Sequence, residues 1–247
     1  MTYSQADITV PYAVANFAEI RHKGYYYVDK TNYIPLLERY KAPVFLRPRR
    51  FGKSLLVSML AHYYDRNMAT QFKDLFGGTW IGEHPTNEHN QYLVVRYDFS
   101  TTSVASKKED IEKNFNAVNC SPLRTLVERN RDLFGDFRFR EDGNASNMLV
   151  EVCEFISSHN LPPLYILIDE YDNFINQLLV VYKDSLYQDL TTGESFLRTF
   201  FKVIKAGIGE GTIRTCFCTG VLPVTMDDLT SGYNIAEMLT LKPEFTN

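Results

Sequence analysis

Two short apolar runs, each opening directly into polar residues, constrain this chain more than anything else in it. PVFLR (Pro43–Arg47) leads through PRRFGK into SLLVSMLAHYY, and PLYILID (Pro163–Asp169) ends on the pair Asp169–Glu170. Four or five consecutive apolar residues bounded by turn formers suit a strand buried on both faces. After the first run, Leu56, Met59, Leu60 and Tyr63 recur at helical spacing, so the chain passes from a buried strand through a tight loop into a helix. A strand that must be covered on both sides points to an α/β layer architecture with a mostly parallel sheet.

The rest of the pattern fits that architecture. YLVVRYDFS (Tyr92–Ser100) is β-branched and aromatic and reads as a second strand, IRTCFCT (Ile213–Thr219) as a fourth, and AEMLTLK as a short fifth. Lys107–Asn119, Pro122–Leu133, Ser146–His159 and Ser195–Lys205 carry helical periodicity, the last closed by Gly207 and Gly209. Gln71–Gln91, with Gly77, Gly78, Gly82 and Pro85, reads as loop-rich. Strands alternating with helices imply crossover connections. With no repeat and no linker rich in Pro, Gly or Ser, residues 1–247 read as one domain.

Charge narrows the partners. Lys and Arg number 26 against 30 acidic residues, a formal net charge of −4, so no global basic field draws the chain to nucleic acid or an anionic membrane. An anion site must be local. The start, MTYSQADITV, does not read as a signal peptide, and no apolar run approaches the ~20 residues that cross a bilayer. Cys120, Cys153, Cys216 and Cys218 have neither zinc nor disulfide spacing. They read as small buried hydrophobes of a cytoplasmic protein. The five histidines show no ligand spacing either.

The two junctions supply the candidate chemistry. At RPRRFGKS, free amides and the dipole at the helix start favour a phosphate, and Gly52 lets the backbone approach its oxygens. Lys53 would bridge the β- and γ-phosphates and the Ser54 hydroxyl would take one Mg²⁺ position. The usual GxxxxGK[ST] pattern asks for glycine where Arg47 stands. A solvated basic turn carrying a surface lysine is the alternative. At the second junction, Asp169 would hold Mg²⁺ through its water shell and Glu170 would act as general base on water. A solvated loop pair is the alternative there. Thr219 ends the next strand, where it would bond the γ-phosphate or the lytic water; a plain strand end is the alternative there. Asp172 would brace the loop after Glu170. Asp98 either sits beside the same edge or faces a neighbouring helix.

FAEIRHKGYYYVDKT, VFLRPRRFGKSLLVSML, LYILIDEYDN and CFCTGVLPVTMDDLTSGYNIAEMLTL together resemble the AAA-ATPase-like family, from about Phe17 to Leu241. The resemblance implies a RecA-like P-loop fold with strand order 5-1-4-3-2, and Mg²⁺-dependent ATP hydrolysis. It implies a nucleotide-binding loop of Arg47, Pro48, Arg49, Arg50, Phe51, Gly52, Lys53, Ser54 and Leu55, in which arginine replaces the first glycine. Lys53, Glu170 and Thr219 would be catalytic, and Ser54 and Asp169 would serve the metal. The segment up to residue 40, with Phe17, Ile20 and Arg21, would lie near the adenine. In this family the domain often precedes a PD-(D/E)XK nuclease-like domain, through which nucleic acid would be the partner. Neither that domain nor a helical lid has a counterpart before Asn247, so a fragment and a natural short form both stay open. An ATP-binding switch with little turnover is the competing function, and a P-loop small-molecule kinase a third. Self-association is a further expectation open at this point.

Overall fold

In the computed structural model, which describes residues 9–102, 108–141, 143–174, 176, 195–222 and 233–245, five parallel strands form one sheet. They are β1 (Pro43–Leu46), β2 (Leu93–Asp98), β3 (Leu164–Asp169), β4 (Ile213–Gly220) and β5 (Glu237–Met238), in the order β2-β3-β4-β1-β5. That is the expected 5-1-4-3-2 order. All five carboxyl ends therefore lie along one edge. All six residues of β3 are buried, as a central strand covered on both faces requires.

Helices α1 (Phe17–His22), α2 (Ile34–Leu37), α3 (Lys53–Tyr64), α4 (Phe72–Phe76) and α5 (Trp80–Glu83) precede or join the first two strands. Between β2 and β3 come α6 (Lys108–Arg129), α7 (Arg131–Phe134) and α8 (Ala145–His159), and α9 (Phe196–Glu210) leads into β4. Alternation along β3 divides the core. Ile166 and Ile168 face a cluster built with α6, α8 and α9, while Tyr165 and Leu167 face α1, α3 and α4. The Tyr64 ring of α3 stacks on Tyr165 at 4.1 Å between centroids. Cys216 and Cys218 share the first face with their sulfurs 3.8 Å apart, and all four cysteines are buried free thiols.

Three boundaries differ from the sequence reading. Lys107–Asn119 and Pro122–Leu133 do not form two helices: α6 runs unbroken through Pro122 to Arg129. An interior proline costs about 3 kcal/mol. The buried Ile111 and Phe115 before it, and Leu123, Leu126 and Val127 after it, each return roughly 1.5–3 kcal/mol by facing one core. Likewise α9 is not closed by Gly207 or Gly209 but continues to Glu210 and stops at Gly211, whose φ is +81°. A Cβ on Gly207 would lie 2.5 Å from Ile213 Cδ1, so this glycine marks close helix–strand packing. The passage Gln71–Gln91 contains α4 and α5, whose short length escapes periodicity.

Candidate functional site

β1 ends at Leu46, and the chain turns through Arg47–Gly52 before α3 begins at Lys53. Arg50 and Gly52 adopt left-handed φ of +68° and +76°, and the glycine does so without steric cost. Nothing lies within 4 Å of where a Gly52 Cβ would sit, so the backbone here faces open space. Lys53 is only 6% exposed, and its ammonium donates to the carbonyls of Arg47 (3.0 Å) and Pro48 (3.1 Å). The loop thus curls around the lysine head. Pro48, Arg49, Arg50 and Phe51 are exposed on the turn, while Ser54 and Leu55 are half-buried in the first turn of α3.

The Arg47 side chain takes a different course. Its guanidinium donates to the carbonyls of Leu46 (3.0 Å) and Phe245 (2.8 Å) and lies 4.5 Å from the Phe45 ring centroid. Arginine at this position ties the loop to the segment following β5. Thr240 reinforces the tie by bonding both the N–H and the carbonyl of Leu46.

Register sets the second half of the site beside the first. Phe45 of β1 pairs with Thr219 of β4, Asp98 of β2 pairs with Asp169 of β3, and Thr219 Oγ1 donates to Asp169 Oδ1 at 2.6 Å. Phe45, Thr219, Asp169 and Asp98 therefore form one row across the sheet, on the α3 face and at the carboxyl edge from which the Lys53 loop springs. Asp98 belongs to this edge, where it accepts from the Ser100 N–H and hydroxyl. Asp169 is 2% exposed. Glu170, just past the strand, has φ +52° and accepts from Asn173 Nδ2 at 2.9 Å. A left-handed glutamate costs about 1–2 kcal/mol.

Asp172 does brace a loop, though the loop lies after β4. Its Oδ2 accepts from the N–H groups of Val221 (2.9 Å) and Leu222 (2.8 Å), and the Tyr171 hydroxyl donates to the Leu222 carbonyl at 3.0 Å. The acid-bearing loop and the end of β4 are thereby clamped together.

One residue of this site escaped the sequence reading. Arg96, the exposed member of β2, brings Nη2 to 3.8 Å from Asp169 Oδ2. The signal was a lone basic residue inside an apolar strand, two positions before Asp98.

Beside the phosphate loop lies a cleft of about 280 Å³, lined by Tyr27, Val28, Lys30, Tyr33, Phe45 and Phe51 among others, with Phe245 at its C-terminal side. Burial, and then the charge of Asp29, push the Tyr27 phenol up to about 12, so it stays a protonated donor at neutral pH. Phe17, Ile20 and Arg21 do not line this cleft. Phe17 and Ile20 are buried, the Phe17 N–H bonds Ser58 Oγ in the middle of α3, and Arg21 donates to the carbonyls of Leu75 and Gly77. They hold α1 against α3 and α4, and the later stretch Tyr27–Tyr33 reaches the loop instead. Among the described residues no three His, Cys, Asp or Glu side chains converge as a metal cage, and no helix is long and apolar enough to cross a membrane.

The chain is 26% identical over 246 residues to an "Uncharacterized protein in vnfD 5'region" of Azotobacter chroococcum mcd 1. The match covers 96% of this chain and 42% of that protein, so the chain spans less than half the relative's length. Residues 11–230 match the family described as "Predicted AAA-ATPase", a span that includes the Lys53 loop, the Asp169–Glu170 pair and Thr219. The chain belongs to the AAA-ATPase-like family.

Proposed function

We propose that this chain is a RecA-like P-loop domain that binds Mg·ATP at the carboxyl edge of its sheet and hydrolyses it. The observation that carries the reading is the row Phe45–Thr219–Asp169–Asp98, which has Asp169 on the α3 face at the edge from which the Lys53 loop springs, with Glu170 next in the chain. The residues present fit the group. Mg²⁺ in such sites takes one or two protein oxygens and fills its octahedron with phosphate oxygens and water, so a buried aspartate and a helix-start hydroxyl suffice. The open space over Gly52 suits a phosphate approaching the backbone, and the aromatic cleft suits a base.

Mg·ATP, when bound, supplies the phosphoryl group and the metal that spreads its charge. Lys53, which now donates to its loop carbonyls, would hold phosphate oxygens, and Ser54 and Asp169 would hold the metal. Glu170 accepts the proton of a water at its carboxylate, and Thr219, through its bond to Asp169, fixes the carboxylate rotamer. The nucleotide cycle would drive a conformational change in a larger cytoplasmic, nucleic-acid-processing or defence-related protein, with self-association as one route to it. The bond from Asn173 to Glu170 favours a second reading, in which the glutamate is held along its own loop and the domain is a nucleotide-operated switch with little turnover.

Steady-state phosphate release separates the two. Hydrolysis predicts Mg²⁺-dependent release that collapses by roughly 10²–10⁴-fold in Glu170→Gln, the usual worth of a general base. Nucleotide binding with no release above background would select the switch.

A further inference from the structure

We infer that Arg96 reads the terminal phosphate of the nucleotide and gives the site its preference for a triphosphate over a diphosphate. The inference rests on the proposed Mg·ATP site and assigns one more residue to it. Five of the six β2 residues are wholly or partly buried, whereas Arg96 is exposed, and it stands on the α3 face with Asp98. An arginine on an edge strand can serve merely to discourage sheet-to-sheet pairing. That role would leave the side chain in solvent, yet this one leans toward the carboxyl edge and reaches Asp169.

The contact itself shows what the guanidinium lacks. At 3.8 Å from Oδ2 it is inside Coulomb range but beyond hydrogen-bond length. Asp169 has already committed its other oxygen to Thr219. Among the described residues the Arg96 guanidinium makes no hydrogen bond, so none of them occupies its N–H fork. The neighbouring acids are engaged elsewhere: Asp98 by Ser100 and Glu170 by Asn173. A divalent cation served by Asp169 would repel the guanidinium from that carboxylate, while the phosphate oxygens that share the cation would attract it. Bidentate donation to a phosphate is what an arginine fork does best. A residue tethered beside the metal carboxylate meets the last phosphate of a triphosphate, which a diphosphate lacks. No bond is made or broken in this step, and the guanidinium keeps its charge throughout.

The test measures binding without turnover. ATP and ADP affinities would be determined by calorimetry with Mg²⁺ in a Glu170→Gln background, for Arg96, Arg96→Met and Arg96→Lys. The expected result is that Arg96→Met leaves ADP affinity within about twofold. Its ATP affinity should fall roughly tenfold or more, the scale of one lost charged hydrogen bond, so the preference collapses. Arg96→Lys should recover part of it, because charge without the fork restores attraction but not geometry. An unchanged ATP-to-ADP ratio in folded Arg96→Met would overturn the inference and leave the nucleotide site standing. If the parent protein binds neither nucleotide, the site itself is wrong and the inference falls with it.

Discussion

Thr219 Oγ1 donates to Asp169 Oδ1 at 2.6 Å, and neither residue is more than 2% exposed. The bond joins β3 to β4 where both strands end, and it links directly two of the side chains that the sequence singled out at the carboxyl edge. Thr219→Val keeps the shape and removes the donor. A buried carboxylate oxygen left without its partner costs about 1–3 kcal/mol. Chemical denaturation should show a loss of that size, Thr219→Ser should restore most of it, and phosphate release should fall in Val but not in Ser.

Arg47→Gly would give the loop the glycine that most P-loops carry, and should nevertheless weaken the protein. The substitution deletes the bond to the Phe245 carbonyl and the contact with the Phe45 ring. For a half-exposed arginine this predicts a loss of about 1–2 kcal/mol. Thermal unfolding of the two proteins checks it, and an unchanged or raised melting temperature would remove the structural role assigned to Arg47.

At Gly207 the prediction concerns packing alone. Gly207→Ala forces a Cβ toward Ile213 Cδ1, an overpacking worth about 1–3 kcal/mol. Ile213→Val removes that terminal methyl, so the double variant should be less destabilised than the sum of the singles. Strict additivity in urea melts would show that the helix shifts instead of clashing.

Away from the site, Arg214 and Glu88 pair at 2.9 Å. Burial alone would raise the Glu88 pKa, but hydrogen bonds from Arg214 and Tyr92 outweigh it and hold the carboxyl below its ordinary value. A depressed acid stabilises the fold above its unfolded pKa, about 4.3, and that contribution disappears as pH falls through the folded value. The stability gap between the parent protein and Glu88→Gln should therefore be constant above about pH 5 and shrink on acidification below ~4. A gap that widens in acid would reverse the sign assigned here.

Much of this arrangement was legible because local chemistry and burial agree along the sequence. PVFLR and PLYILID became β1 and β3 within a residue of their expected ends, since a continuous apolar run flanked by turn formers has few other solutions. The order of the strands came from family resemblance, and the sheet reproduces it. What stayed hidden depends on partners distant in sequence. Pro122 looks like a break until Phe115 and Leu123 are seen to share one core. Gly207 looks like a stop until Ile213 is placed against it. Nothing in RPRRFGKS says that Arg47 will turn toward Phe245, almost 200 residues later. Register hides in the same way: a single-residue slip would send Asp169 to the other face, and with it the reach of Arg96.

The central prediction is that the residue 47–54 loop and the Asp169–Glu170 edge hold one nucleotide. Titration calorimetry of Mg·ATP into the parent protein and into Lys53→Ala measures this directly. Saturable binding at micromolar to high micromolar nucleotide, abolished in a folded Lys53→Ala protein, is the predicted result. No binding by the parent, or equal binding by both, would contradict it.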